Sequence, residues 1–140
     1  MNNPTQTRPR QEAVRPSTIR DDGLVVLVAT GLAVLVWAAA KAAGIDLDVH
    51  SGSGTREVGL GSVIVTPLVM GAAAAGLLRL LERRTSRGLR IWTGTAVTVW
   101  ALSFLGPLSA TTVGAGCVLA TLHLVVGAAL VGGLRRTRVA

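Results

Sequence analysis

Residues 24–43 read LVVLVATGLAVLVWAAAKAA, an apolar run that carries a single charged residue, Lys41, close to its end. A helix needs about 20 apolar residues to cross the roughly 30 Å hydrocarbon core of a bilayer. Three more runs of this kind follow, at residues 60–81, 91–108 and 113–134. The four runs predict an all-α membrane protein, a four-helix transmembrane bundle within residues 23–134.

The basic residues lie in segments that alternate with the apolar runs. All lysines and arginines except Lys41 and Arg56 fall within residues 1–23, 79–90 and 135–140. Because basic residues are enriched on the cytoplasmic side of membrane proteins, this pattern places both termini and the connection between helices 2 and 3 in the cytoplasm. The sequence therefore predicts a multi-pass protein of the bacterial inner (plasma) membrane.

The net charge of +7 follows this topology. The charged segments lack the exposed aromatic residues and fold signatures of nucleic-acid binding, so we expect no nucleic-acid partner. The predicted partner is the lipid bilayer, with anionic lipid headgroups at the arginine clusters. Residues 1–22 are polar and contain Pro4, Pro9 and Pro16, which predicts a disordered cytoplasmic tail, and residues 135–140 form a basic cytoplasmic tail.

The connection between helices 1 and 2 predicts a short extracytoplasmic β-hairpin. Apolar and polar residues alternate in IDLDVH (residues 45–50), and this is the period of a strand. Residues 51–54, SGSG, supply the turn, and residues 55–60 return as a second strand. Since an isolated hairpin is marginally stable, its apolar side is expected to rest on the helices or on the membrane surface.

His123 lies about midway along helix 4, at a depth where an ionisable group is costly and often functional. Two interpretations stay open. In one, His123 is structural and hydrogen-bonds a hydroxyl group of helix 3, from Thr95, Thr98 or Ser103. In the other, it acts on a ligand. The four runs contain no Asp or Glu, so the sequence does not support a proton-coupled pump.

Helix 3 contributes the other residues of a candidate polar site. Trp100 shares a face with Ser103 and Pro107, and together with His123 these residues could line a cleft for an apolar ligand. More often, a tryptophan at such a position is simply a packed side chain. A haem between the helices would need a second axial ligand, which a symmetric dimer could supply.

Asp46, Asp48 and His50 share one face of the predicted strand and are outer-face candidates for a cation site. A solvated strand face explains the same pattern, because alternation places polar residues there in any case. The chain contains no glycine-rich phosphate loop, no zinc-protease signature and no nucleophile triad. We therefore expect no enzyme activity, no cofactor and no bound metal.

Several segments together carry a resemblance to a known family: IDLDVH at residues 45–50, an arginine-rich middle loop, LSFLGPLSATT at 102–112 and LHLVVGAAL at 122–130. Their order resembles a family of small, uncharacterised four-helix integral membrane proteins of actinobacteria. The most distinctive pieces are GPLS at residues 106–109 and the intramembrane His123. The resemblance spans about residues 23–134; it implies the four-helix fold and no particular activity.

Three functions stay open. The leading prediction is a non-enzymatic accessory or interaction protein, since small-residue faces on helices 2 and 4 favour a homo-oligomer or a membrane protein partner. The alternative is a small transporter or ligand-binding protein with a cleft near His123 and Trp100. The third is a haem-binding electron-transfer subunit.

Overall fold

A computed structural model describes residues 19–139. The elements in chain order are α1 (Ile19–Ala42), β1 (Asp48–Ser51), β2 (Gly54–Glu57), α2 (Leu60–Arg84), α3 (Gly88–Ser103), a 3₁₀ helix (Gly106–Ser109) and α4 (Val113–Val139). Of the predicted tails, residues 1–18 and Ala140 lie outside the described residues.

Four helical segments of this described part are long and apolar enough to cross a membrane: α1, α2, α4, and α3 together with the 3₁₀ helix. Many of their large apolar side chains face outward, and Leu24, Leu35 and Leu105 are each 60% exposed or more. Such a surface is unfavourable in water, whereas in a bilayer it contacts hydrocarbon. The fold agrees with a multi-pass membrane protein and confirms the four helices and the hairpin between the first two.

The helices extend beyond the predicted boundaries at the end where the arginines cluster. α1 begins at Ile19, α2 reaches Arg84, α3 begins at Gly88 and α4 continues to Val139. Residues 19–22, predicted to belong to a disordered tail, thus form the first turn of α1. Leucine, arginine and glutamate are good helix formers, so a change from apolar to charged sequence does not by itself end a helix.

At its other end, α3 is shorter than the apolar run predicted. The α-helix stops at Ser103, and the chain from Gly106 to Ser109 forms the 3₁₀ helix. Pro107 has no backbone N–H to donate, and its ring disfavours the α conformation in the residue before it. Hydropathy alone does not register this restriction, which is why the predicted helix ran on to residue 108.

The β-hairpin has a tighter turn than predicted. β1 and β2 pair antiparallel with Ser51 opposite Gly54, so Gly52 and Ser53 alone form the turn. Gly52 has a φ of 61°, a backbone conformation that glycine adopts without strain. Residues 51–54 therefore include the last pair of the strands as well as the turn.

The hairpin rests on the helices, as expected for so small a sheet. The buried Leu47 packs against Ala40 of α1 and Ala115 of α4. Val49 forms a bridge with Ala110, in the turn between the 3₁₀ helix and α4. These contacts fix the hairpin across one end of the bundle, which we call the hairpin end.

α1 packs against both α2 and α4, while α3 packs against the other sides of these two helices. The contact between α1 and α2 depends on a small residue. Gly71 is buried against Val26, and a Cβ atom there would overlap the valine methyl groups. The glycine and alanine face predicted on helix 2 is therefore used, at this position, inside the bundle.

Each of the chain's three tryptophans donates its indole N–H to a backbone carbonyl of another segment. The bonds are Trp37 to Val58 (3.0 Å), Trp92 to Ala74 (2.8 Å) and Trp100 to His123 (2.7 Å). Trp92 is 1% exposed and packs with Leu78 and Leu134. Buried tryptophans commonly find such a partner for the indole N–H, and these bonds join segments that are distant in sequence.

Candidate functional site

A cleft of about 680 Å³ lies between α2, α3 and α4. It exists because α1 packs between α2 and α4 on one side, so that these two helices make little direct contact. The lining residues are Ser62, Val63, Thr66, Pro67, Met70, Ala73, Ala74 and Leu77 from α2, Trp92, Thr95, Ala96, Val99, Trp100 and Ser103 from α3, and Leu119, Leu122, His123, Val126, Gly127, Leu130 and Val131 from α4, together with Ala33 of α1, Val49, Val58, Gly106, Pro107 and Ser109.

The cleft is closed at the back and open at one side. The lining residues Leu119, Leu122 and Leu130 of α4 are buried and form the back wall. The lining residues of α2 and α3 include side chains that are 40% to 49% exposed, namely Met70, Leu77 and Val99. The cleft therefore opens between α2 and α3, on the face where a bilayer would place lipid tails.

Trp100, Ser103, Pro107 and His123, the four residues singled out from the sequence, all line this cleft. The Trp100 ring lies on Gly127, where a Cβ atom would overlap the indole. This contact between a large and a small residue brings α3 against α4.

Phe104, which does not line the cleft, packs beside Trp100 and His123. The centroid of its ring lies 6.1 Å from that of Trp100 and 6.2 Å from that of His123, both in tilted arrangements. These separations are within the range in which aromatic rings attract one another. Two lining residues, Trp100 and His123, are therefore packed against the same aromatic ring.

The predicted hydrogen bond between the His123 imidazole and a hydroxyl group of helix 3 is wrong. Thr95, Thr98 and Ser103 each donate to a carbonyl of their own helix, three or four residues back. His123 does the same, with Nδ1 2.7 Å from the oxygen of Leu119. For these four side chains a carbonyl of the preceding turn is the acceptor, and it satisfies them without a partner helix.

The outer-face candidates Asp46, Asp48 and His50 do not form a common site. Asp46 is highly exposed and lies 3.4 Å from the ammonium of Lys41, and the backbone oxygen of Asp48 accepts from Thr111. His50 is exposed. Nowhere in residues 19–139 do three or more His, Cys, Asp or Glu residues gather as metal ligands would.

The end of the bundle opposite the hairpin, which we call the arginine end, holds a group that sequence reasoning missed. Asp22 of α1 lies 2.6 Å from Arg79 of α2 and 2.6 Å from Arg138 of α4. Arg138 also pairs with Glu82 at 3.0 Å, and the hydroxyl of Thr137 donates to Asp22. We call these five residues the ionic cluster.

The centre of the ionic cluster, the pair Asp22 and Arg138, is buried. The side chains of Asp22 and Arg138 are 4% and 6% exposed, while that of Arg79 is 28% exposed. The sequence signal was two aspartates before the first apolar run, an arginine near the end of the second and arginines after the fourth. Only the packing shows that Asp22, Arg79 and Arg138 meet.

The other arginines of this end are exposed. They surround the ionic cluster and are Arg20, Arg83, Arg84, Arg87, Arg90, Arg135 and Arg136. Among residues 19–139, Arg56 is the one arginine at the hairpin end. The molecule is therefore electrically polarised along its length, with the basic surface at one end.

These features define a small helical protein with four segments suited to crossing a membrane and a laterally open cleft between three of them. The chain belongs to a family: residues 13–140 match the Family of unknown function (DUF6069). No curated protein and no solved structure matches it. The predicted membership of an uncharacterised family is thus confirmed, and the actinobacterial origin of that family stays a prediction.

Proposed function

We propose that the chain is a four-span protein of the bacterial plasma membrane with its arginine end in the cytoplasm. The exposed arginines at that end support this orientation, because basic residues are retained on the cytoplasmic side. The same arginines would contact anionic lipid headgroups. In this orientation the hairpin lies on the outer face and the cleft lies at the depth of the lipid tails.

Within that membrane, the protein acts without chemistry of its own and binds an apolar molecule. The observation that carries this proposal is the cleft of about 680 Å³, which is within the usual range of ligand pockets, roughly 300–1,000 Å³. Its lateral opening would let a ligand enter from the bilayer without crossing water. Of the functions left open by the sequence, the ligand-binding protein therefore has the strongest support.

The length of the cleft indicates an elongated ligand. It extends along α2 from Ser62 to Leu77, a distance of about 22 Å at a rise of 1.5 Å per residue. A hexadecyl chain has a comparable length. The occupant is therefore a molecule with one long hydrocarbon chain, and release to a partner or to the opposite leaflet would be the next step in its use.

Native mass spectrometry of the purified protein, with hexadecyl methyl ether as the probe, tests this proposal. The protein is expected to bind one probe molecule saturably. Ala96→Phe should weaken this binding by about tenfold or more, because Ala96 lines the cleft and the new ring would occupy it. The matched control is Ala101→Phe, an exposed position of α3 outside the lining, which should bind like the unchanged protein.

Two results would refute the cleft as a binding site: the absence of saturable binding, or equal binding by Ala96→Phe and Ala101→Phe. The accessory role and the haem-binding role predicted from the sequence are tested with the same preparation. A stoichiometric membrane protein partner would favour the first, and a Soret absorption band would favour the second.

A further inference from the structure

The two halves of the cleft differ in polarity. Toward the arginine end the lining is mostly apolar, with Ala73, Ala74, Leu77, Ala96, Leu130 and Val131. The two lining residues there that carry polar atoms, Trp92 and Thr95, already donate to backbone carbonyls. Toward the hairpin end, the lining includes Ser62, Thr66, Ser103, Ser109 and His123. A ligand that filled the cleft would therefore meet free polar atoms only toward the hairpin end.

His123 offers a hydrogen-bond acceptor at that polar end. Its Nδ1 lies 2.7 Å from the oxygen of Leu119, and because a carbonyl only accepts, Nδ1 carries the ring proton. The other nitrogen, Nε2, is then the acceptor of a neutral imidazole. Nε2 makes no hydrogen bond to any residue of the range 19–139. A Cβ atom at Gly106, another lining residue, would lie 3.7 Å from Nε2, so the missing side chain leaves this nitrogen less covered.

Ser62 and Thr66 offer donors on the opposite wall. They lie one helical turn apart on α2, and within the described chain neither hydroxyl group is engaged in a hydrogen bond. The hydroxyl groups of α3 that line the cleft differ, since those of Thr95 and Ser103 already donate to their own helix. Unpaired hydroxyl donors in an apolar setting are costly, and a ligand oxygen would satisfy them.

The charge of the lining restricts the ligand further. None of the described residues that line the cleft is an Asp, Glu, Lys or Arg. A carboxylate or phosphate headgroup would therefore be desolvated there without a counter-charge, at a high free-energy cost. A small neutral group that both donates and accepts one hydrogen bond matches the polar end.

We propose that the ligand is a neutral long-chain molecule with a hydroxyl head, seated with the head against His123 and the chain toward the arginine end. The hydroxyl group donates to His123 Nε2 and accepts from Ser62 or Thr66. This inference rests on the proposed function, because it specifies the ligand of the same cleft. It gives His123 a binding role that its intrahelical hydrogen bond alone does not require.

The test compares 1-hexadecanol with hexadecyl methyl ether in the native mass spectrometry assay. The two probes share the chain, but only the alcohol can donate a hydrogen bond. The unchanged protein is expected to bind the alcohol about fivefold to tenfold more tightly, as one net hydrogen bond in an apolar site provides. Hexadecanoate, which carries a charge at neutral pH, is expected to bind more weakly than either probe.

Variants of His123 test whether its acceptor nitrogen causes the preference for the alcohol over the ether. His123→Phe should remove the preference for the alcohol, since it keeps a ring and lacks an acceptor. His123→Gln should retain at least part of it, since the amide oxygen accepts. The fold of each variant is checked by its helical circular dichroism.

The outcomes separate the two proposals. Equal binding of alcohol and ether by the unchanged protein would overturn the hydroxyl inference and leave the cleft as a binding site. Saturable binding of neither probe would overturn both. An undiminished preference in folded His123→Phe would overturn the role of His123, and the comparison of the two probes on the unchanged protein is decisive even where the variant does not fold.

Discussion

The missing side chain of Gly127 determines where the indole of Trp100 lies. The indole lies directly on the α4 backbone at Gly127 and donates to the carbonyl of His123. Because the ring contacts Gly127 on one side and its N–H donates to His123, the indole presents one fixed surface to the cleft. The same indole would otherwise have several rotamers available and would partly fill the space that a ligand needs.

Gly127→Ala is expected to destabilise the protein by about 1–3 kcal/mol, because the new methyl group overlaps the indole and forces it from its position. Binding of the hexadecyl probes should weaken in parallel. Gly132→Ala on the same helix is the control: no atom lies within 4 Å of its added Cβ, so it should be neutral or slightly stabilising. Unfolding by SDS in mixed micelles measures both, and equal stability of the two variants would contradict the argument.

At the scale of elements, the ionic cluster joins three helices through one carboxylate. Asp22 forms ion pairs with both Arg79 and Arg138, which belong to helices far apart in the sequence. Removing one partner of a buried ion pair leaves the other charge uncompensated, which costs more than the intact pair contributes. The cluster therefore ties the ends of α1, α2 and α4 to one another.

Asp22→Asn is expected to lower the free energy of unfolding by roughly 3 kcal/mol, because Arg138 would stay buried without its main counter-ion. Glu82→Gln is the comparison: its carboxylate is 34% exposed and pairs with Arg138 alone, so a loss below about 1 kcal/mol is expected. The same SDS titration reports both variants. A loss at Asp22 no larger than the loss at Glu82 would contradict the central place given to Asp22.

The sequence predicts features that depend on neighbouring residues better than features that depend on contacts between distant segments. The four spans and the hairpin were predictable, because hydropathy and period-two alternation are local properties of the chain. The grouping of Trp100, Ser103 and Pro107 followed from helical spacing. The meeting of Asp22 with Arg138 could not be read in this way, since it depends on which helices pack together.

The prediction of the hydrogen-bond partner of the His123 side chain failed for a different reason. The sequence shows a histidine and several hydroxyl groups at similar depth, and it suggested that they bond to one another. It does not show that each of them has a carbonyl acceptor in its own helix. Local satisfaction of this kind competes with every predicted interhelical bond of a serine, threonine or histidine.

At the scale of the whole molecule, the separation of charge between the two ends predicts its orientation. Among residues 19–139, all arginines but Arg56 lie at the arginine end, and the hairpin closes the other end. The field of the protein and the membrane potential then act in the same direction, since the positive end is favoured on the negative cytoplasmic side.

Cysteine labelling in intact cells tests this orientation. The chain contains one cysteine, Cys117, which is first replaced by alanine. Ser53→Cys in the hairpin turn and Ser86→Cys between α2 and α3 are matched, since both serines are exposed. A membrane-impermeant maleimide should label Ser53→Cys and spare Ser86→Cys until the membrane is opened. The reverse pattern would invert the topology.

The ionic cluster also has a consequence for the order in which the protein is made. Asp22 emerges from the ribosome first, Arg79 follows with α2, and Arg138 arrives with α4 after the three other spans have been synthesised. Asp22 therefore has only one of its two arginine partners until α4 has been synthesised. The ion pair between Asp22 and Arg138 can form only when the last span lies beside the first, so it stabilises the complete bundle and no earlier intermediate.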